Sequence, residues 1–152
     1  MAENTVLPSF HDDYLVGYEV DCEGRQIKLH IKPAPWMAKQ AGVSTVVFTG
    51  VDGYHFENDA FGNIIFDLEA VTIAGFVSEY RDELAKSRRY SGVGTWASDL
   101  DAAPRVLSEQ GIQAYVLSSS LGLSGWVLAR EAFVEPRSGV VPSASAPNAV
   151  DR

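Results

Sequence analysis

The spacing of apolar residues changes along the chain, from every second position in residues 26–32 to every third or fourth position after Thr72. Residues 26–32 alternate apolar and polar side chains, as a strand with one buried face does. Residues 73–84 instead place their apolar side chains on one stripe of a helix. The chain therefore begins with strands and changes to a helix near its middle.

Turn-forming residues divide the strand-like part of the chain. Gly24 suits a hairpin turn, because glycine adopts the positive φ that such a turn needs. Gly50 and Gly53 weaken a long β-rich segment and suggest a bulge within it. Strands are expected at residues 15–21, 26–32, 44–56, 64–69, 112–119 and 126–134.

Two helices are predicted between the fourth and fifth of these strands. Thr72 is the expected N-cap of the first helix, and Gly92 is expected to end it. The second helix should cover 104–110, with Asp101 as its cap, Pro104 tolerated in its first turn and Gly111 after its end.

Strands joined in hairpins, with the helices segregated from them, are typical of an α+β fold. We expect a single antiparallel sheet of about six strands with two helices packed on one face. A length of 152 residues suffices for one hydrophobic core. The folded domain is expected over residues 8–137. Residues 138–152 are small and proline-containing, and are expected to form a disordered C-terminal tail.

Charge restricts the partners that the chain can have. Its formal net charge is −8, which argues against nucleic acid and against anionic membranes, because both need a basic surface. A single cysteine, Cys22, rules out an internal disulfide framework. The first ten residues contain no Lys or Arg and no apolar stretch of the kind found in signal peptides. A cytoplasmic location is therefore expected.

The acidic residues are unevenly distributed. Between Lys39 and Arg81 there are six carboxylates and no other Lys or Arg. Trp36 and Trp96 fall in predicted loops, and an exposed aromatic residue beside an acidic surface is a common arrangement at protein interfaces. The sequence thus predicts a surface that binds a basic protein, made of Asp52, Glu57, Asp59, Asp67, Glu69 and Trp36.

A metal site is the alternative interpretation of Asp52, His55, Glu57 and Asp59. Side chains alternate along a strand, so Asp52 should point away from His55 and Glu57. The spacing also fails the calcium-loop pattern, because Leu68 stands where an oxygen ligand is needed. We therefore expect no metal and no cofactor.

Two further function classes stay open. A small hydrolase-like enzyme could use His11 with Asp12, Asp13 or Glu57 for acid-base chemistry. The sequence contains no complete nucleophilic motif, and Cys22 lies between acidic residues that disfavour its thiolate. No catalytic residue is therefore assigned. A small-molecule binding module lined by Trp and Phe side chains is the other alternative.

Three segments resemble a group of small bacterial domains of unknown function. These segments are residues 11–17, 47–51 and 63–69, within a similarity that covers about residues 10–80. Some similar proteins are suspected to be immunity proteins that neutralise toxins. The resemblance implies an α+β fold and supplies no catalytic residue. We accordingly expect a non-enzymatic interaction domain, with immunity-type binding of a basic protein as one form. Exposed edge strands make a homodimer an additional expectation.

Overall fold

The computed structural model describes residues 6–36, 42–90 and 95–138. Its strands are β1 (Tyr14–Asp21), β2 (Gln26–Lys32), β3 (Val43–Thr49), β4 (Gly53–Glu57), β5 (Asn63–Val71), β6 (Gln113–Leu121), β7 (Ser124–Ala129) and β8 (Glu131–Ser138). Its helices are α1 (Ile73–Glu79), α2 (Arg81–Tyr90), a short 3₁₀-helix (Thr95–Ser98) and α3 (Ala103–Glu109).

All eight strands belong to one antiparallel sheet, in the order β4-β7-β6-β5-β1-β2-β3-β8. The expected fold, six strands with two helices packed on one face, is therefore wrong. The described segments contain eight strands and three short α-helices.

The two additional strands come from bends in segments that were each expected to be one strand. Residues 44–56 bend at Gly50, whose φ of 61° lies in the left-handed region that favours glycine. Residues 126–134 bend at Arg130, which separates β7 from β8. Each long segment thereby pairs with different neighbours before and after its bend.

The first predicted helix is likewise two helices. Thr72 is the N-cap, as expected, and its hydroxyl accepts a hydrogen bond from the amide of Gly75. Tyr80 then leaves the helical conformation, so that α1 ends and α2 begins. The expected cap Asp101 is wrong, because α3 begins after Ala102 without a side-chain cap. Gly92 lies outside the described residues.

The sheet curls until its two ends meet. β3 continues through residues 50–52 into β4, and β7 continues through Arg130 into β8. β3 pairs with β8 while β4 pairs with β7, so the two bent segments run side by side. The amide of Arg130 donates to the Thr49 carbonyl, and the amide of Asp52 donates to the Leu128 carbonyl. These bonds hold the two bends against each other.

The concave side of the curled sheet encloses one hydrophobic core, to which every strand contributes. The rings of Phe48 on β3 and Tyr115 on β6 meet across this interior, with centroids 5.2 Å apart. A second core lies on the convex side of β6 and β7, where Trp126 and Leu128 pack against the helices through Phe76, Leu84 and other side chains. The helices therefore cover only part of the outer surface.

The chain before β1 runs beside β5. β1 pairs with β5 only through Tyr14 and Leu15, and the preceding residues continue the contact, since the amide of Asp12 donates to the Ile65 carbonyl. Of the expected tail, only Ser138 is among the described residues, and it ends β8. None of the helices in the described segments combines the length and hydrophobicity that a membrane crossing requires.

Candidate functional site

Three of the acidic residues singled out in the sequence lie on the convex face of the sheet. Glu57 on β4 pairs with Ser124 on β7, which places it on the same face as Trp126, two residues further along β7. Asp67 pairs with Ser118, and Glu69 pairs with Val116, on the same face of β6. Glu79 and Glu83 on the helices lie next to this surface. We call the five carboxylates, Glu57, Asp67, Glu69, Glu79 and Glu83, the outer acidic face.

A cleft of about 150 Å³ opens in this face between β4, β6, β7 and the break between α1 and α2. We call it the Trp126 cleft. Within the described segments, no Lys or Arg lines it. It is lined by His55, Glu57, Tyr80, Glu83, Val116, Leu117, Ser118, Ser119, Ser124, Gly125 and Trp126.

Trp126 forms the floor of this cleft and is only 3% exposed. Its ring meets Phe76 edge-on, with centroids 5.1 Å apart, and it is flanked by Tyr80 and His55 at 6.4 Å and 6.2 Å. The indole Nε1 is buried and has no hydrogen-bond partner among the described residues. Buried donors are paired in the great majority of proteins, so the Trp126 indole is an unsatisfied donor directly beneath the cleft.

Tyr80 reports the electrostatic character of the cleft. Its pKa is raised above 10.0, first by burial and then by the negative charges of Glu79, Glu83 and Glu57. These carboxylates come from α1, α2 and β4, and their common effect on one hydroxyl shows that they act at the same place. The Tyr80 ring lies 5.1 Å from Phe76 and 6.4 Å from Trp126, measured between centroids.

The polar groups at the other side of the cleft hold the β6–β7 turn. The hydroxyl of Ser124 accepts from the amide of Ser119, and the Ser119 hydroxyl donates to the Leu123 carbonyl. His55 Nε2 lies 3.6 Å from Glu57 Oε2. The cleft thus combines carboxylates with aromatic faces, which is the chemistry that recognises a cation.

Asp52 and Asp59 lie outside the Trp126 cleft, and each accepts a hydrogen bond from an aromatic side chain. Asp52 Oδ2 accepts a hydrogen bond of 2.6 Å from Trp96 Nε1, and Trp96 is 5% exposed. The expectation that Trp96 is exposed is therefore wrong. Asp59 Oδ2 accepts from the Tyr18 hydroxyl at 2.7 Å, which places it beside β1.

Trp36 lies beyond the end of β2. It is 67% exposed, and its ring meets Tyr14 edge-on with centroids 5.8 Å apart. β1 and β5 separate β2 from β6 in the sheet, so Trp36 lies on a different part of the molecule from the Trp126 cleft. The structure therefore places Glu57, Asp67 and Glu69 on one face, with β7 and β6 between Glu57 and the other two, and places Asp52, Asp59 and Trp36 elsewhere.

The residues of the enzyme alternative do not form one group with Glu57. His11 Nε2 lies 3.5 Å from Asp12 Oδ2 on an exposed part of the chain, and its Nδ1 lies 2.9 Å from the Phe66 carbonyl oxygen. Glu57 is instead paired with His55. Within the described segments, no three His, Cys, Asp or Glu side chains are placed to share a metal ion.

Sequence reasoning did not single out Tyr80, Glu83 or Trp126 as site residues. Tyr80 and Glu83 are three positions apart, a spacing that brings side chains together on a helix, so a local signal for this pair existed. Trp126 begins the expected strand 126–134, and its unpaired indole depends on which elements surround it. No local pattern reveals that.

Comparison of the chain with protein-family models, curated proteins and solved structures gave no match.

Proposed function

We propose that the protein is a non-enzymatic interaction domain that binds a basic segment of another protein through the outer acidic face. The Trp126 cleft is the observation that carries this proposal. It places Glu57 and Glu83 around the rings of Tyr80 and Trp126, with no Lys or Arg among its described lining residues.

A Lys or Arg side chain fits the chemistry of this cleft. Its cationic end would pair with the carboxylates, while the adjacent rings contribute a cation–π attraction of about 0.5–2 kcal/mol. A main-chain carbonyl of the same segment that reaches the buried Nε1 would supply the acceptor that the Trp126 indole lacks among the described residues. Pairing this donor would remove the cost of leaving it buried and unpaired.

Asp67 and Glu69 extend the negative surface beyond the cleft. Charges around a binding site increase the association rate and make it dependent on salt. Neutralisation of a basic toxin in the cytoplasm, as in immunity proteins, is the specific form that we favour, since it also agrees with the resemblance noted in the sequence.

The proposal is tested with two variants of equal net charge. Glu57→Gln/Glu83→Gln removes two carboxylates from the Trp126 cleft. Glu23→Gln/Glu109→Gln removes two exposed carboxylates from other parts of the chain. Immobilised wild-type protein, at low salt, should retain a basic protein that the cleft variant loses and the control variant keeps. Equal recovery by the two variants would contradict the proposal.

A direct measurement uses tetralysine amide as the probe. Titration into the labelled protein should shift the indole N–H resonance of Trp126, and should lower the pKa of Tyr80 because the peptide offsets the surrounding negative charge. The resonances of Trp36 and Trp96 serve as internal references. A shift that is equal for all three tryptophans would indicate non-specific attraction and contradict a site at Trp126.

A further inference from the structure

A second surface feature lies where β1 and β5 meet, and shares no lining residue with the Trp126 cleft. It is an apolar cleft of about 420 Å³ beside a projecting phenylalanine, Phe61, which is fully exposed. We call the cleft and Phe61 together the Phe61 patch. The cleft is lined by Tyr14, Leu15, Val16, Lys32, Phe61, Gly62, Asn63, Ile64 and Leu121.

Phe61 is held in this position by its own turn. The Asn63 side chain accepts from the amide of Ala60 at 3.1 Å and donates to the Ala60 carbonyl at 2.8 Å. It also accepts from the amide of Leu123 at 2.8 Å, which ties the turn to the neighbouring β6–β7 connection. Phe61 therefore projects from a turn that is fixed by hydrogen bonds. Exposure of its apolar ring to water is unfavourable.

The cleft beside Phe61 exists because two strands diverge. β1 pairs with β5 only at Tyr14 and Leu15, so the following residue, Val16, turns an exposed apolar side chain toward the turn that carries Phe61. Leu121, at the end of β6, is also exposed on the far side. A projecting ring and an apolar cleft thus lie next to each other on one surface.

We propose that the Phe61 patch is the contact surface of a homodimer, in which Phe61 of each copy occupies the cleft of the other. A twofold dimer requires a patch that is complementary to itself. An exposed apolar ring beside an apolar cleft satisfies that requirement, because the ring of each copy can enter the cleft of the other. The ring would leave water at the centre of the contact, where aromatic anchors contribute most to affinity.

Charge selects a second copy as the occupant. Lys32 is the one charged side chain among the described residues that line the cleft, while the chain as a whole carries −8. A second copy presents a mostly negative surface, and Lys32 is the charge in this lining that such a surface can pair with. The turn of Phe61 also carries Asp59, so insertion brings Asp59 of one copy toward Lys32 of the other. A basic partner, by contrast, would be repelled by Lys32.

The test is sedimentation velocity over protein concentrations from micromolar to millimolar. The wild type should show a reversible dimer, and Phe61→Asp should weaken it by roughly 30-fold or more, as expected for a central aromatic anchor. Phe61 is fully exposed in the single chain, so at dilutions where both proteins are monomeric this variant should unfold at the same urea concentration as the wild type. Phe133→Asp, which changes an exposed aromatic residue on β8, is the matched control and should leave the dimer intact.

A charge exchange tests the arrangement itself. Lys32→Asp and Asp59→Lys should each weaken the dimer, and the double variant should restore it, because the exchanged charges again face each other across the twofold axis. A wild type that stays monomeric, a Phe61→Asp variant that dimerises as tightly as the wild type, or a double variant no tighter than its parents would each overturn the proposal. None of these results depends on binding at the Trp126 cleft.

Discussion

Asp52 is a carboxylate that the fold uses for its own stability. It accepts the indole N–H of Trp96, which lies in the short 3₁₀-helix, and its amide donates to Leu128 on β7. The side chain therefore joins the bend between β3 and β4 to the segment that precedes α3. An acidic residue in an acidic stretch of sequence is thus a structural cross-link.

Replacement of Asp52 should destabilise the protein. In Asp52→Ala the buried indole of Trp96 would lose its acceptor, at a cost of about 1–3 kcal/mol. Asp52→Asn keeps an acceptor oxygen and should cost less. Urea unfolding measures both variants, with Glu69→Ala as the exposed control. If Asp52→Ala unfolded at the wild-type urea concentration, the cross-link would have no energetic role.

Tyr18 gives the protein an alkaline pH dependence. Its pKa is raised above 10.0, mainly by the hydrogen bond to Asp59, with burial and the Asp59 charge adding to the effect. The folded state thus favours the neutral phenol, so this stabilisation is fully present below pH 10.0 and is lost as the pH rises through the raised value. Asp59→Asn should lower the pKa of Tyr18 toward 10.0, as followed by NMR titration.

The control for that titration is Asp21→Asn, because Asp21 lies on the same hairpin but accepts from the Gly24 amide. It should leave Tyr18 unchanged. Equal effects of the two variants would mean that general charge, and not the hydrogen bond to Asp59, determines how Tyr18 titrates.

Local sequence signals predicted one helix cap correctly and failed at the other, where the side chain binds a residue distant in the sequence. Thr72 caps α1 because its target amide lies within the same turn. Asp101 has the right chemistry for a cap, but it forms an ion pair with Arg81 at 2.8 Å. That partner lies on another helix, so nothing in the residues next to Asp101 could indicate it.

At the scale of elements, the agreement between predicted and observed strands depended on whether a long segment bends. The strict alternation of 26–32 predicted β2 with its observed bounds. The β-rich segment 44–56 contains Gly50, which indicated an irregularity, but a bulge and a bend into a second strand give the same sequence signal. Arg130, where β7 becomes β8, gives no signal, because its position follows from the pairing of both strands with distant partners.

Gly125 allows β4 to approach β7. A Cβ at this position would overlap the main-chain carbonyl oxygen of His55 and crowd the Phe56 ring. Gly125→Ala should therefore separate the two strands, which costs roughly 1–3 kcal/mol or more, and should displace His55 and Glu57 from the Trp126 cleft. Chemical denaturation measures the loss, and NMR of the Trp126 indole reports the displacement.

Gly62→Ala is the control for this experiment, because a Cβ there meets no atom within 4 Å. It should leave both stability and the Trp126 resonance close to the wild-type values. A Gly125→Ala variant as stable as Gly62→Ala would show that the approach of β4 to β7 is not tight.

At the scale of the whole molecule, β7 connects the two hydrophobic cores. Leu128 belongs to the convex core under the helices, and the adjacent Val127 belongs to the core inside the curled sheet. Loss of packing on either side of this strand should therefore be transmitted to the other. The two cores are expected to unfold together.

Leu128→Ala tests this coupling. The side chain is completely buried, so its truncation should cost about 2–5 kcal/mol. Far-UV and near-UV circular dichroism should still report one coincident transition, moved to lower denaturant. Val6→Ala, at a side chain that is 89% exposed and outside the Phe61 patch, should change stability by less than about 0.5 kcal/mol. Two separate transitions would show that the cores unfold independently.

The candidate site could be predicted only in part, because it depends on strand pairings between residues that are distant in the sequence. Glu57, Asp67 and Glu69 were identified by charge alone, and their strand registers place them on the convex face. Their combination with Tyr80 and Trp126 depends on β4 pairing with β7 and on the helices covering β6 and β7. Such long-range pairings follow from the whole topology and leave no spacing that could be read in the sequence.

The pairing of β3 with β8 also determines when the protein can fold. Val46 lies opposite Val134, so the last described strand completes a sheet that begins near the N-terminus. During synthesis, the strands in the first two thirds of the chain would keep apolar faces exposed until β7 and β8 have left the ribosome. Because such distant contacts slow folding, the interval is one in which a chaperone would protect the nascent chain.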